Sequence, residues 1–179
     1  HYDDMPTGTT APGADDNGSG TAAVIEAARM LTQYDSKYTI IYALWDEEEQ
    51  GLVGSAYFAQ QAANAGDSIM GVINMDMIAW DSDNDAVGEI HIRPIANSIN
   101  LKDIMVQVNT TYNIGVIPSI INPGTTASDQ ASFWNHNYGA ILLIEEYYGG
   151  DFNAYYHTTN DLLIHYNQPY YHKMSRLTF

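Results

Sequence analysis

At 179 residues, with 45% hydrophobic and 16% charged side chains, the chain has the size and apolar content of one globular domain, which excludes a disordered polymer. Six Lys and Arg against 22 Asp and Glu leave a formal charge of −16, so nucleic acid and anionic membrane surfaces are poor partners and cations are good ones. There is no Cys, so disulfides and thiolate metal sites are excluded and any metal must rest on His, Asp and Glu. No apolar run approaches the ~20 residues that span a bilayer.

The chain opens on His1-Tyr2-Asp3-Asp4 without an initiator Met, and we read it as a piece of a longer protein. Thr7 to Gly20, rich in Gly, Thr and Pro, reads as a loop that carries the adjacent acids Asp15 and Asp16. Apolar residues at helical spacing follow from Thr21, predicting a first helix. Lys37 to Trp45 is β-branched and aromatic, too continuous for a half-exposed strand, and predicts a buried parallel strand. Directly after it stands Asp46-Glu47-Glu48-Glu49, four carboxylates in a row at a strand exit. Gly51 and Gly54 then allow a sharp turn and close packing of the next helix, which starts near Ser55 and ends at Gly66.

Ile69 to Ile78 predicts a second buried strand, with Asp76 at its end, and Val87 to Ile95 a third. Asn97 to Tyr112 reads as a helix and Ser128 to Asn137 as a short one. Gly139 to Glu146 is another buried strand, and the last residues from Gln168 open a further helix. Strands alternating with helices predict an α/β fold, a three-layer α/β/α sandwich around a mixed, mostly parallel sheet. In such sheets sites form beyond the carboxyl ends of strands, where these acidic segments lie.

Taken singly, each acid has a local reading; Asp15 and Asp16, for example, could cap the following helix. Together the segments resemble a family. The segments "HYD", "APGADDNGSGTAAVIEAARML", "DEEEQGLVGSAYF", "NMDMI" and "YYHTTNDL" appear in the order of the zinc-dependent M28 peptidases and cover nearly the whole chain. The resemblance implies a zinc exopeptidase-like fold, truncated here at both ends, with residues 1–179 forming a single catalytic domain. It implies two Zn²⁺ per chain: His1 and Asp76 on one ion, Glu49 and His157 on the other, Asp15 bridging both.

By the same resemblance Glu48 is the general base, the peptide bond between Asp15 and Asp16 is cis, and Asp3 orients His1. Asp16 and Asp129 are expected just behind the ligands, and Phe133, Phe152, Tyr155 and Tyr156 are candidates for the pocket that receives the first side chain. The implied activity is removal of N-terminal residues from peptides with a free N-terminus. The implied location is secreted or periplasmic. Three other readings share the fold: a single-zinc glutaminyl cyclase-like acyltransferase, a carboxypeptidase-like relative, and a binding module that has lost catalysis. Asp46 and Glu47 are read as a solvated strand exit, and His91, His136, His165 and His172 as structural.

Overall fold

The computed structural model describes residues 1–5 and 12–179; the first part of the expected loop, residues 7–11, lies outside the described residues. A wide, irregular turn at Ala14–Ser19 leads into α1 (Gly20–Leu31), followed by α2 (Val53–Ala65), β1 (Val72–Met75), β2 (Val87–His91), α3 (Ser98–Thr111), β3 (Ile117–Ile121), α4 (Gln130–Trp134), β4 (Ala140–Ile144) and α5 (Gln168–Arg176). Local chemistry explains the boundaries. Gly66, at φ 73, closes α2 in the left-handed conformation that glycine adopts without a Cβ penalty. The Asn167 side chain caps α5 by accepting from Tyr170 N, and Pro169 sits in its first turn, where no amide is needed.

The strands form one sheet in the order β1-β4-β2-β3. β1 and β4 run parallel, as do β2 and β3, while β2 and β4 are antiparallel, so the sheet is mixed and mostly parallel, as expected. β4 is central, and all five of its residues are buried. Because strand side chains alternate, its two faces feed two different cores. Ile141 and Leu143 pack with Ala23 of α1, Met105 of α3 and Tyr170 and Met174 of α5. Ala140 meets Ala59 of α2 and Phe133 and Trp134 of α4, and Leu142 and Ile144 meet Tyr147, Phe152 and Tyr156. Helices therefore cover both faces, the three-layer arrangement.

One expected strand is not formed. Lys37–Trp45 forms no strand and makes no sheet pairing among the described residues, and Ile40, Ile41 and Leu44 are exposed. Its composition is that of a buried strand, but a strand persists in a sheet only through a hydrogen-bonded neighbour. A cavity of about 760 Å³, lined by Ile40, Tyr42, Leu44, Val72 and Ile73 among others, separates the segment from β1. Its far end is tied down, where Tyr2 N donates to Trp45 O at 2.9 Å. No helix among the described residues is long and apolar enough to cross a membrane.

At the junction of turn and α1, a Cβ on Gly20 would collide with the Met75 carbonyl oxygen and Asn17 Oδ1, so glycine here permits the helix to touch the end of β1. Gly20→Ala is therefore expected to destabilise the fold by about 1–3 kcal/mol, despite alanine's better helix propensity. Urea unfolding monitored by circular dichroism reads this directly, and a neutral or stabilising effect would contradict the packing described.

Candidate metal centre

The site lies at the carboxyl end of β1, where the Asp15-Asp16 turn, the Glu48-Glu49 exit, Asp76 and the His157 loop meet His1. Each acidic segment is shaped by its backbone. Glu47 adopts φ 56 and Leu52 φ 63, turning the chain sharply. Glu48 is thereby buried and Glu49 partly so, while Asp46 and Glu47 are exposed, consistent with a solvated exit for those two. A Cβ at Gly54 would meet Asp46 O, so the close packing expected of that glycine is real. The Asn17 side chain fixes the other turn: Nδ2 donates to Met75 O at 3.0 Å and Oδ1 accepts from Gly20 N at 2.9 Å.

Two groups of side chains could each hold a cation: His1, Asp16 and Asp76, and Asp16, Glu49 and His157. His1 Nε2 lies 3.4 Å from Asp16 Oδ1 and 3.3 Å from Asp76 Oδ1. His157 Nε2 lies 3.0 Å from both Asp16 Oδ2 and Glu49 Oε2. Asp16 thus presents one carboxylate oxygen to each group. This corrects the expectation for Asp15. The Asp15 carboxylate turns away from the site, with Oδ1 accepting from Ala79 N and Oδ2 from Asn153 Nδ2, each at 3.0 Å. The cis peptide likewise falls one residue later than expected, between Asp16 and Asn17.

The electrostatics follow from crowding. Burial alone would lower the His1 imidazole, but Asp16, Asp76 and Glu48 outweigh it and hold it up to about 12. Burial would raise Asp16, yet the His1 and His157 imidazoles keep it below the usual carboxylate range. The Asp16 carboxylate facing it at 3.0 Å, with Glu49 beside it, raises His157 despite its partial burial. Burial, then the Asp76 carboxylate, pushes Glu48 up to about 9, and burial with Asp16 pushes Glu49 up to about 7. Behind the site, burial and the Asp15 carboxylate push Glu145 well up.

The donor set fits a metal. Glu49 Oε1, Asp76 Oδ1 and His157 Nε2 are buried without a hydrogen-bond partner among the described residues, an expensive state for polar atoms that a cation would relieve. Imidazole nitrogen with carboxylate oxygen is a zinc-type donor set. Glu48 belongs to neither group; its Oε2 stands 3.9 Å from His1 Nε2.

The supporting residues differ partly from expectation. The nearest acceptor for His1 Nδ1 is the Asp3 backbone carbonyl at 3.0 Å, with the Asp3 carboxylate at 3.4 Å. That carboxylate instead accepts from Glu48 N and Glu49 N at 3.2 and 3.1 Å. Ser128 donates to Asp76 Oδ2 at 2.6 Å and accepts from Asn74 Nδ2 at 2.7 Å, so Ser128 rather than its neighbour Asp129 steers that ligand. Asp129 is buried 3.6 Å from the His1 main-chain nitrogen.

Of the candidate pocket aromatics, Tyr156 stacks on His157 with centroids 3.7 Å apart and Phe152 packs against Tyr156 at 5.0 Å. Phe133 and Tyr155 point elsewhere. Phe133 packs with Trp45 and Phe58 beside α2 and α4, and Tyr155 stacks on His165. Sequence reading missed Ser128, Asn153 and Asp161. The position of Asp161, four residues past His157, is the one signal that could have pointed to it.

The model of peptidase family M28 matches residues 1–179. A protein of Coccidioides posadasii named leucine aminopeptidase 1 is 30% identical over 167 residues, 88% of this chain and 42% of that protein. One of Pyrenophora tritici-repentis, named "Probable zinc metalloprotease", is 42% identical over 83 residues, 44% of this chain and 17% of that protein. Among solved structures, the Legionella pneumophila LapA aminopeptidase superposes with a TM-score of 0.81 at 27% identity, covering 99% of this chain and 46% of its own. The chain thus spans less than half the length of these relatives.

Proposed function

Because the chain belongs to peptidase family M28, we propose that it carries the catalytic centre of a di-zinc aminopeptidase, which removes N-terminal residues from peptides. One observation carries this reading: the Asp16 carboxylate is shared between two ligand groups, with an unligated glutamate beside them. His1, Asp16 and Asp76 would hold one ion and Asp16, Glu49 and His157 the other. Bound there, zinc supplies Lewis acidity for the scissile carbonyl and makes water acidic near neutral pH.

The protein's own residues supply the rest. Glu48 Oε2 takes a proton from the attacking water and returns it to the departing amine nitrogen, the exchange expected of a general base that becomes a general acid. Burial, then the Asp76 carboxylate, keeps this carboxyl basic. Asp3 holds the Glu48 and Glu49 amides, fixing base and ligand together. Tyr156 and Phe152 offer an apolar wall beside His157 for a substrate side chain.

Metal analysis paired with hydrolysis of Leu-p-nitroanilide, before and after chelation, tests the proposal. Two zinc ions per chain and chelator-sensitive release are expected. One ion with cyclisation of N-terminal Gln peptides would replace it with the acyltransferase reading, and no ion with no turnover would leave a binding module.

A further inference from the structure

Two acids sit behind the ligands in matching ways. The Asp3 carboxylate, two residues past His1, grips the consecutive amides of Glu48 and Glu49. The Asp161 carboxylate, four residues past His157, accepts from Asp15 N at 3.1 and 3.0 Å through its two oxygens and from Asp16 N at 3.0 Å. Each histidine-bearing segment thereby ties itself to the acidic segment that faces its imidazole. Asp161 is 3% exposed, and main-chain bonding reinforces the tie: Ala14 N donates to Asp161 O at 3.2 Å. Tyr166, from the same stretch of chain, donates its hydroxyl to Ala14 O.

The chemistry suits a spacer. A carboxyl group accepting several backbone N–H bonds through both oxygens makes directional contacts that fix the facing segment. These amides belong to a turn whose residues 16 and 17 lack helical geometry, so the turn cannot satisfy them itself. Without Asp161 nothing else on the His157 segment holds the Asp16 amide, and the gap between Asp16 Oδ2 and His157 Nε2 loses its fixed width.

We propose that Asp161 is a positioning residue that sets the Asp16–His157 separation and hence the affinity of that half of the site for metal. The proposal rests on the di-zinc reading, and it goes beyond it in giving Asp161 a role distinct from holding the ion. Stepwise zinc affinity, from competition with a chromophoric chelator on the whole chain, is the test, with visible spectra of the cobalt(II)-loaded protein alongside. Asp161→Asn, which keeps the shape but not the charge or the second acceptor, is expected to weaken the ion held by Asp16, Glu49 and His157 by roughly 10–100-fold. It should also alter the cobalt spectrum while the metal-free protein stays folded by circular dichroism.

A merely structural role would lower the melting temperature of the metal-free protein yet leave affinity and spectrum of the folded fraction unchanged; that result overturns the proposal. Should Asp161→Asn not fold, Asp161→Glu decides instead: it retains the charge but displaces it by a methylene, and wild-type affinity there is equally fatal. Wild-type protein that takes up no zinc would sink the di-zinc reading itself, a different failure from a variant that matches a zinc-binding wild type.

Discussion

Glu48→Gln is expected to take up zinc at the wild-type stoichiometry and to lose about 10²–10⁴-fold in kcat. The split follows from where the side chain stands. Glu48 is buried, faces His1 Nε2 at 3.9 Å and contributes no oxygen to either ligand group. Its backbone amide, held by Asp3, is untouched by the change, so Glu49 keeps its place. The amide that replaces the carboxylate fills the same space but cannot accept the water proton. Metal analysis with single-substrate kinetics separates the two effects. A variant within a few-fold of the wild-type rate would remove Glu48 from the chemistry, and one that lost its zinc would make it a ligand.

Asp16 and Asp15 offer the second large effect, because the two neighbours should behave as opposites. Asp16→Asn takes the shared carboxylate from both groups at once, leaving His1 with Asp76 and His157 with Glu49. Both ions should be lost on dialysis, with affinity falling by more than the roughly 10–100-fold typical of contacts behind a ligand. Asp15→Asn should retain zinc, since that side chain serves Ala79 N and Asn153. Metal content after dialysis, compared between the two variants at equal folded concentration, decides the matter. Zinc retained by Asp16→Asn and lost by Asp15→Asn would reverse the assignment drawn from the coordinates.

That pair also marks how far the sequence alone could reach. Composition and strand-helix alternation sufficed for the layered α/β architecture, and β4 was legible because an unbroken apolar run such as Ala-Ile-Leu-Leu-Ile belongs to a strand covered on both faces. Motif order brought His1, Glu48, Glu49, Asp76 and His157 to one place. It did not separate Asp15 from Asp16, because adjacent side chains in a turn leave in different directions and spacing carries no information about which one faces inward. That depends on tertiary partners, Asp161 behind the amides and Asn153 and Ala79 on the Asp15 oxygens.

The strand β3 escaped notice for a related reason. Ile-Pro-Ser-Ile-Ile contains a proline and is only partly buried, which is the signature of a sheet edge rather than its centre. Lys37–Trp45 fails in the opposite sense: the residues record a preference for burial, but pairing is a property of the neighbour and cannot be read from the segment itself. Ser128 carries no charge or motif of its own in the sequence, and only the fold shows that its hydroxyl, rather than the Asp129 carboxylate beside it, reaches Asp76.

Asp16 faces one imidazole from position 1 and another from position 157, so its surroundings join segments 156 residues apart in sequence. In a molecule without cysteine, ions seated there would serve as its detachable cross-links. A covalent tie across a loop of about 100 residues is worth about 4.7 kcal/mol in the chain-entropy model. Ligand bound only to the native state adds stability in proportion to the logarithm of its free concentration. Zinc supply would then govern how long the fold survives, and a metal-starved chain would be lost to unfolding.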